Sequence, residues 1–153
     1  MSERIEKLLQ EILDREAIRD LGKRYCHILW TEDFDAYPLL YAEDGVLRYR
    51  DDVRPPVEGR TALRSMIEAM IKPHKARQFV HNHIVELLSS DQAVGKCCVE
   101  VRLWLDGEDG FIVAYYEDEY VKIDGEWKFK VRLATLEYLG KRADYRVPAP
   151  GVA

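Results

Sequence analysis

Two histidines, His81 and His83, are separated by one residue in the segment QFVHNH at positions 78–83. Imidazole is the side chain whose ordinary pKa suits proton transfer near neutral pH. The same spacing puts two metal ligands on one side of a strand, but zinc or iron needs a third and a fourth donor. The sequence indicates no further donors, so we expect no metal and a proton-transfer or hydrogen-bonding role for His81.

The face on which these histidines lie depends on the regularity of the strand. Strict alternation puts Gln78, Val80 and Asn82 on one face and both histidines on the other. A β-bulge in this strand would turn one imidazole to the opposite face. Two alternatives therefore stay open for His81: a pocket residue that moves a proton, or a histidine on the outer or interfacial face.

A carboxylate and a guanidinium form a second candidate pair. Alternation places Ala114, Tyr116 and Asp118 on one face of a predicted strand. A buried Asp118 requires a partner, and Arg132 on the next predicted strand can supply it. The pair is either a structural brace or a catalytic pair. In the catalytic case Asp118 is the base and Arg132 stabilises negative charge on an enolate or phenolate oxygen.

The middle predicted strand is rich in aliphatic side chains. Val101 and Leu103 alternate with Glu100 and Arg102, so one face of this strand is apolar. Trp30 adds a large flat ring. Such a lining suits a small hydrophobic ligand, aromatic or polycyclic, although most aliphatic stripes of this kind belong to an ordinary core.

Three helices are predicted to precede most of the sheet. Apolar residues recur at three- and four-residue spacing over positions 2–29, which predicts one long amphipathic helix with Ser2 as its N-cap. A second, short helix is predicted to begin at 33–37 and to end at Asp44-Gly45. A third is predicted over 62–70.

The rest of the chain has the pattern of a sheet. A half-buried strand is predicted at 46–50, and four long strands follow at 78–88, 93–105, 111–123 and 127–139, separated by short turns. Helices followed by an antiparallel meander predict a single α+β domain over 1–153, in which helices cover one face of a curved, mainly antiparallel sheet and form a cone with one pocket. The proline-rich tail, 141–153, is either frayed or folded across that opening.

Composition excludes several classes of protein. The chain has 153 residues, 47% of them hydrophobic, and a net charge of −5 with basic residues scattered among acids, so we expect no nucleic-acid surface. We expect neither a signal peptide nor a membrane span, and the three cysteines show no disulfide pattern, so we expect a cytoplasmic protein. We predict apolar residues such as Phe79 and Val85 on the outer face of the sheet. Because large exposed apolar patches are rare on monomers, we expect a homodimer or homotrimer.

Several segments resemble one family. The segments 14–25, 34–36 and 41–45 resemble the opening of SnoaL-like proteins, and 116–129 together with Arg132 resembles their paired final strands. This resemblance implies the cone-shaped, cystatin-like fold of nuclear transport factor 2. The most similar enzyme types are scytalone dehydratase, bile acid 7α-dehydratase and hexachlorocyclohexane dehydrochlorinase. The small subunit of ring-hydroxylating dioxygenases has the same fold, so the fold alone does not determine the chemistry.

The resemblance also suggests site residues. The dehydratases resemble this chain at Tyr49, a phenol on the first strand, and the bile acid enzyme also at Tyr25 on the long helix. The acidic residue and the histidine of those enzymes correspond to Trp30 and Gln78 here. The usual acid and base are therefore absent, and either other residues substitute for them or the reaction differs.

We therefore hypothesise a cofactor-independent lyase, of dehydratase or related elimination type, that acts on a small hydroxylated aromatic or polycyclic metabolite. The alternative is a non-catalytic ligand-binding or accessory subunit. In the lyase hypothesis His81 or Asp118 removes the proton and a tyrosine assists the leaving group. The expected catalytic residues are Tyr25, Tyr49, His81 and Asp118, and the expected ligand contacts are Trp30, Gln78, Val101, Leu103, Tyr116 and Arg132.

Overall fold

The computed structural model of the protein describes residues 2–51 and 54–147. Helices and strands follow one another along the chain in an α+β arrangement. In order they are α1 (Glu3–Thr31), a 3₁₀ turn (Tyr37–Leu40), β1 (Tyr41–Tyr49), β2 (Val57–Glu58), α2 (Arg60–Ile71), β3 (Arg77–Leu87), β4 (Gln92–Leu105), β5 (Glu108–Ile123), β6 (Glu126–Lys141) and a final 3₁₀ turn (Arg142–Asp144).

The prediction of three N-terminal helices is wrong. The described chain contains two α-helices, and the second of them follows β1 and β2. The short helix expected after position 33 is only the four-residue 3₁₀ turn, and β1 begins at Tyr41. Gly45, which suggested a helix end, lies inside β1 at a shift in strand register. A Cβ at Gly45 would come within 2.8 Å of the Cβ of Tyr41, so this bend requires glycine.

All the strands form one six-stranded sheet with the order β2-β1-β6-β5-β4-β3. The meander from β3 to β6 is antiparallel, as predicted. The pairing of β1 with β6 is parallel, with Leu47 opposite Arg132 and Tyr49 opposite Ala134. The sheet is therefore mixed, and the parallel pair brings the first strand beside the last one.

Helix α1 packs on the sheet through only part of its length. Its buried residues begin at Asp14 and continue through Ile18, Leu21 and Tyr25. Residues 3–10 are all exposed, although several of them are large and apolar. Ser2 makes no side-chain capping hydrogen bond. The predicted long helix is thus present, but the spacing of its apolar residues predicts which residues are buried only in the second half of the helix.

The described part of the C-terminal tail lies away from the inner face of the sheet. The Tyr145 ring packs against Phe111, at 5.4 Å between ring centroids, and against Tyr138, at 5.2 Å. Residues 148–153, which include the prolines on which the tail prediction depended, lie outside the described residues. No helix in the described ranges is long and apolar enough to cross a membrane.

The three cysteines are free thiols, as the sequence predicted. Burial raises the pKa of Cys26 to about 11 and the pKa of Cys97 to about 12. These two thiols are therefore protonated at neutral pH and are poor nucleophiles.

Candidate active site

A cavity of about 310 Å³ lies between the helices and one face of the sheet. Helix α1 contributes Tyr25 and Leu29, α2 contributes five residues of its C-terminal half, and β1 and β3–β6 contribute inward residues. The lining is mostly apolar, as is typical of pockets for small molecules. It consists of Tyr25, Leu29, Leu47, Tyr49, Arg54, Met66, Ile67, Ala69, Met70, Ile71, His74, Ala76, Gln78, Val101, Leu103, Leu105, Ile112, Ala114, Tyr116, Ala134, Leu136 and Leu139.

Strand alternation brings several predicted site residues into this cavity. Gln78 on β3 is paired with Val101 on β4, which is paired in turn with Ile112 on β5. Paired residues of neighbouring strands point to the same side of a sheet, so these side chains form one row of the lining. Six of the predicted residues line the cavity: Tyr25, Tyr49, Gln78, Val101, Leu103 and Tyr116.

The phenols of the cavity are hydrogen-bond donors at neutral pH. Burial raises the pKa of Tyr49, and it raises that of Tyr116 well above the ordinary tyrosine value. The Tyr116 hydroxyl donates to Oε1 of Gln78 at 3.4 Å, and the Tyr25 hydroxyl accepts from Tyr37 at 3.4 Å. The cavity therefore presents neutral hydroxyl groups within an otherwise apolar wall.

The Gln78 carboxamide is only partly satisfied. The residue is 4% exposed, and its Nε2 has no hydrogen-bond partner among the described residues. An unpaired buried donor of this kind costs about 1–3 kcal/mol. A ligand oxygen bound beside Gln78 would recover this loss.

The predicted pair of Asp118 and Arg132 forms, but it lies outside the cavity lining. Arg132 donates from Nε and Nη2 to the two carboxylate oxygens at 2.8 and 2.7 Å, and both side chains are buried. The guanidinium carbon lies 4.2 Å from the ring centroids of Tyr116 and Phe129 and 4.7 Å from that of Tyr25. The pair therefore braces the sheet directly behind the tyrosines of the cavity.

His81 does not reach the cavity, contrary to the expectation for a catalytic residue. Its Nε2 lies 2.9 Å from a carboxylate oxygen of Glu100, and its side chain is 45% exposed. Glu100 is on the outward side of β4, so His81 takes the outer-face alternative. A bulge does occur in β3, but it begins after His81, and Asn82 has a positive φ of 54°.

The bulge turns His83 inward instead. Its Nε2 lies 3.0 Å from the Tyr120 hydroxyl, which donates to Oδ2 of Asp118 at 3.0 Å. Because the single hydroxyl proton of Tyr120 is used on Asp118, Nε2 of His83 is the donor to Tyr120. The same shift in alternation buries Val85, which had been assigned to the outer face. His83 thus belongs to the buried network of Arg132 and does not line the cavity.

Comparison with known proteins gives the same fold. A family model described as a SnoaL-like domain matches residues 10–133 of the chain. The protein belongs to the SnoaL-like family.

Several solved structures share the fold of this SnoaL-like protein. A provisionally named scytalone dehydratase from Novosphingobium aromaticivorans is 24% identical, with a TM-score of 0.78 over 94% of this chain and 97% of that one. An NTF2-like protein with a cystatin-like fold from the same bacterium is 23% identical, with a TM-score of 0.77 over 91% of each chain. A type 3 hexachlorocyclohexane dehydrochlorinase from Novosphingobium barchaimii is 20% identical, with a TM-score of 0.78 over 93% of this chain and 99% of that one. At these identities the likeness establishes the fold alone.

Trp30 lies outside the cavity of this SnoaL-like protein, although it was expected to form a wall. The side chain is 47% exposed, and its ring makes an edge contact with Phe79 at 5.8 Å. The indole Nε1 donates to the backbone oxygen of Gln78 at 3.4 Å, and the Arg77 guanidinium lies 5.5 Å from the ring centroid. Position 30 is close to the C-terminal end of α1, and its side chain packs against the edge strand β3 instead of entering the cavity.

His74 is a lining residue that the sequence analysis missed. It lies in the short connection between α2 and β3, where no motif or periodicity marks it. Its Nδ1 is 3.1 Å from the backbone oxygen of Trp104. A carbonyl oxygen only accepts, so Nδ1 carries the proton and Nε2 of the neutral ring is an acceptor. No described residue bonds to Nε2 of His74, which is therefore available as a base.

No group of three or more His, Cys, Asp or Glu side chains within residues 2–51 and 54–147 is arranged to hold a metal ion. The chemistry that the cavity can support is acid–base chemistry between an imidazole, several phenols and an amide.

Proposed function

We propose that this SnoaL-like protein binds a small, mainly apolar molecule with oxygen substituents in the cavity and catalyses an elimination from it, as a lyase without a cofactor. The observation that carries the proposal is that one apolar cavity is lined both by the His74 imidazole and by protonated phenols. The Nε2 atom of His74 is an acceptor that no described residue occupies. The family neighbours include a dehydratase and a dehydrochlorinase, which are eliminating enzymes by name.

The proposed reaction is the loss of water from a hydroxylated ring. His74 takes a proton from a carbon atom of the substrate, and the C–H electron pair becomes the new double bond. The neighbouring C–O bond breaks, and the departing hydroxide takes the proton of Tyr49 to form water. The proton on His74 then returns to Tyr49 through solvent, so both residues regain their starting states.

Tyr49 is suited to act as the acid of this reaction. Burial raises its pKa, which keeps the phenol protonated until the leaving group departs. The Arg54 guanidinium lies 4.2 Å from the centroid of the Tyr49 ring. Its positive charge stabilises the tyrosinate that forms when the proton has been given away.

Asp118 is no longer proposed as the base. Arg132 and Tyr120 occupy both of its carboxylate oxygens, and it does not line the cavity. Arg132, whose charge Asp118 compensates, packs against the rings of Tyr25 and Tyr116 and holds these phenols in position.

A non-catalytic ligand-binding subunit is the second candidate. The observation that favours it is the replacement, at Trp30 and Gln78, of the acid and base that the dehydratases use. Gln78 cannot transfer a proton at neutral pH, and Trp30 does not line the cavity. In this alternative His74 and Tyr49 only contact the ligand.

The test is incubation of the purified protein with a panel of hydroxylated diaryl, polyketide and steroid compounds, with product mass and thermal stabilisation measured together. The lyase proposal predicts loss of water from at least one compound, and a decrease in rate of about 10²–10⁴-fold in His74→Gln and in Tyr49→Phe. His81→Gln, which changes a histidine on the outer face, is the matched control and should retain the rate. Stabilisation without any change of mass would favour the binding subunit. Equal losses in His74→Gln and His81→Gln would contradict the assignment of the base.

A further inference from the structure

Two buried side-chain atoms lack a hydrogen-bond partner in the described part of the chain, and both are donors: Nε2 of Gln78 and Nη1 of Arg132. The Arg132 guanidinium lies over the rings of Tyr25, Tyr116 and Phe129 and does not line the cavity. Aromatic rings attract a guanidinium to their faces, which offsets part of its burial. Gln78, in contrast, lines the cavity. Its amide is therefore the unpaired buried donor that a ligand can reach.

The contacts of Gln78 determine which end of its amide is free. The Tyr116 hydroxyl donates to Oε1, so the oxygen end of the amide is the bonded end. The Cys26 thiol interacts with the same side chain, but sulfur is only a weak acceptor and leaves the Nε2 donor unsatisfied. The backbone is held as well, because the Gln78 oxygen accepts from Trp30 and the strand is paired at Val101. The N–H groups of Nε2 are thus positioned before a ligand binds.

The wall around this amide is apolar. Ala76, just before β3, Val101 on β4 and Ile112 on β5 are lining residues whose side chains have no hydrogen-bonding atoms. A ligand group beside Gln78 therefore depends on the amide, whose Oε1 already takes the proton of Tyr116. A carbonyl oxygen is only an acceptor, so the N–H groups of Nε2 suit it. A hydroxyl group also brings a proton, which is costly to bury without an acceptor.

We infer that the ligand of this protein is a carbonyl compound, whose carbonyl oxygen accepts a hydrogen bond from Nε2 of Gln78 while its apolar skeleton occupies the cavity. The inference rests on the proposed function for the presence of a ligand with oxygen substituents, and it adds the chemical class of one of them. Gln78 selects the ligand in this arrangement and transfers no proton. The inference does not depend on whether the ligand is transformed.

The experiment compares probes that share one bicyclic skeleton. Tetralin has no oxygen, 1-tetralone has a ketone, and 1-tetralol has a hydroxyl group at the same carbon. Isothermal titration calorimetry measures their affinities for the native protein and for Gln78→Leu, which removes the donor and keeps a side chain of similar size. We expect the variant to weaken the ketone relative to tetralin by about three- to tenfold, the range for one neutral hydrogen bond. The alcohol should lose less than the ketone.

Infrared spectroscopy of 1-tetralone, isotope-labelled at the carbonyl carbon, reports the hydrogen bond itself. A carbonyl group that accepts a hydrogen bond vibrates at a lower frequency than one in apolar surroundings. We expect the frequency of the bound ketone to be lower in the native protein than in hexane, and to return towards the hexane value in Gln78→Leu. Gln78→Met, which keeps the unbranched shape of the side chain, replaces Gln78→Leu if that variant does not fold.

Gln92→Leu is the matched control. Gln92 is exposed at the start of β4 and does not line the cavity, so its replacement makes the same chemical change away from the ligand. All three affinities and the infrared frequency should stay as they are in the native protein.

The outcomes distinguish this inference from the proposed reaction. An unchanged preference for the ketone over tetralin in Gln78→Leu, or an alcohol that loses as much as the ketone, would overturn the carbonyl assignment and leave the cavity as a binding site. Failure of all three probes to bind would overturn both proposals. Binding of the ketone through Gln78 by a protein that transforms no compound would retain the carbonyl site and remove the lyase.

Discussion

The Arg132 guanidinium and the Asp118 carboxylate are joined by two parallel hydrogen bonds of 2.8 and 2.7 Å, with exposures of only 1% and 0% for their side chains. Asp118 and Arg132 lie directly opposite each other on β5 and β6. Tyr120 donates a third hydrogen bond to the carboxylate. The charge of each group is therefore compensated by the other in a site without solvent, and neither can be removed independently.

Replacing Asp118 alone should destabilise the protein strongly. Asp118→Asn leaves the buried guanidinium uncompensated, and removing one partner of such a pair costs about 3–5 kcal/mol in the free energy of unfolding. Urea unfolding followed by circular dichroism measures this loss. Glu119→Gln, which removes a carboxylate from the exposed neighbouring position, should change the stability by less than about 0.5 kcal/mol.

A double variant keeps this prediction testable if Asp118→Asn does not fold. Asp118→Leu combined with Arg132→Met removes both charges and should be more stable than Asp118→Asn. If the double variant is the less stable of the two, the destabilisation does not come from an uncompensated charge.

The stability should fall on mild acidification because of His83. Burial lowers the pKa of this imidazole in the folded protein, whereas in the unfolded chain it titrates near its ordinary value of about 6.5. The unfolded state therefore binds the proton more readily. The stabilisation is complete above about pH 6.5 and is lost as the pH falls from there through the lower pKa of the folded state.

His83→Gln provides the comparison for this pH dependence. Urea unfolding of both proteins between pH 7.5 and pH 5 should show a steeper loss for the native sequence than for the variant. Parallel curves for the native protein and His83→Gln would show that the buried imidazole does not carry the effect.

Filling the cavity should weaken ligand binding without unfolding the protein. Ala114 is buried on β5 and lines the cavity, so the larger side chain of Ala114→Leu occupies space that the ligand would need. We expect the affinity for N-phenyl-1-naphthylamine to fall about tenfold, which corresponds to about 1.4 kcal/mol, measured by fluorescence titration. Val113→Leu, at the adjacent position outside the lining, is the matched control. An unchanged affinity in Ala114→Leu would mean that the probe binds elsewhere.

Much of this architecture follows from local patterns in the sequence. The four long strands and their three short turns were predicted because alternation and turn residues are properties of neighbouring residues. Alternation placed Tyr116 and Asp118 on one face of β5, and the family resemblance implied that this face lines the cavity. In the structure Tyr116 is part of the cavity lining, whereas Asp118 is not. The partnership of Asp118 with Arg132 followed from the cost of burying a charge, which applies in any fold.

Other features could not be obtained from local patterns. The alternation rule assigned His81 and His83 to the same side, whereas the bulge after His81 separates them. A bulge is stabilised by contacts across the sheet, and in this case His83 reaches Tyr120, 37 residues further along the chain. His74 was missed for a similar reason, because only the folding of its loop against Trp104 brings it to the cavity.

The sequence by itself determined the α+β class, the antiparallel meander, the apolar character of the inward face and the family resemblance. Each of these depends on residue type and on short-range periodicity, which the chain carries before it folds. Only the tertiary structure decided that β1 runs parallel beside β6 and which imidazole lines the cavity. Those relationships join residues distant in sequence, and their geometry is set by packing and strand register, which no local pattern encodes.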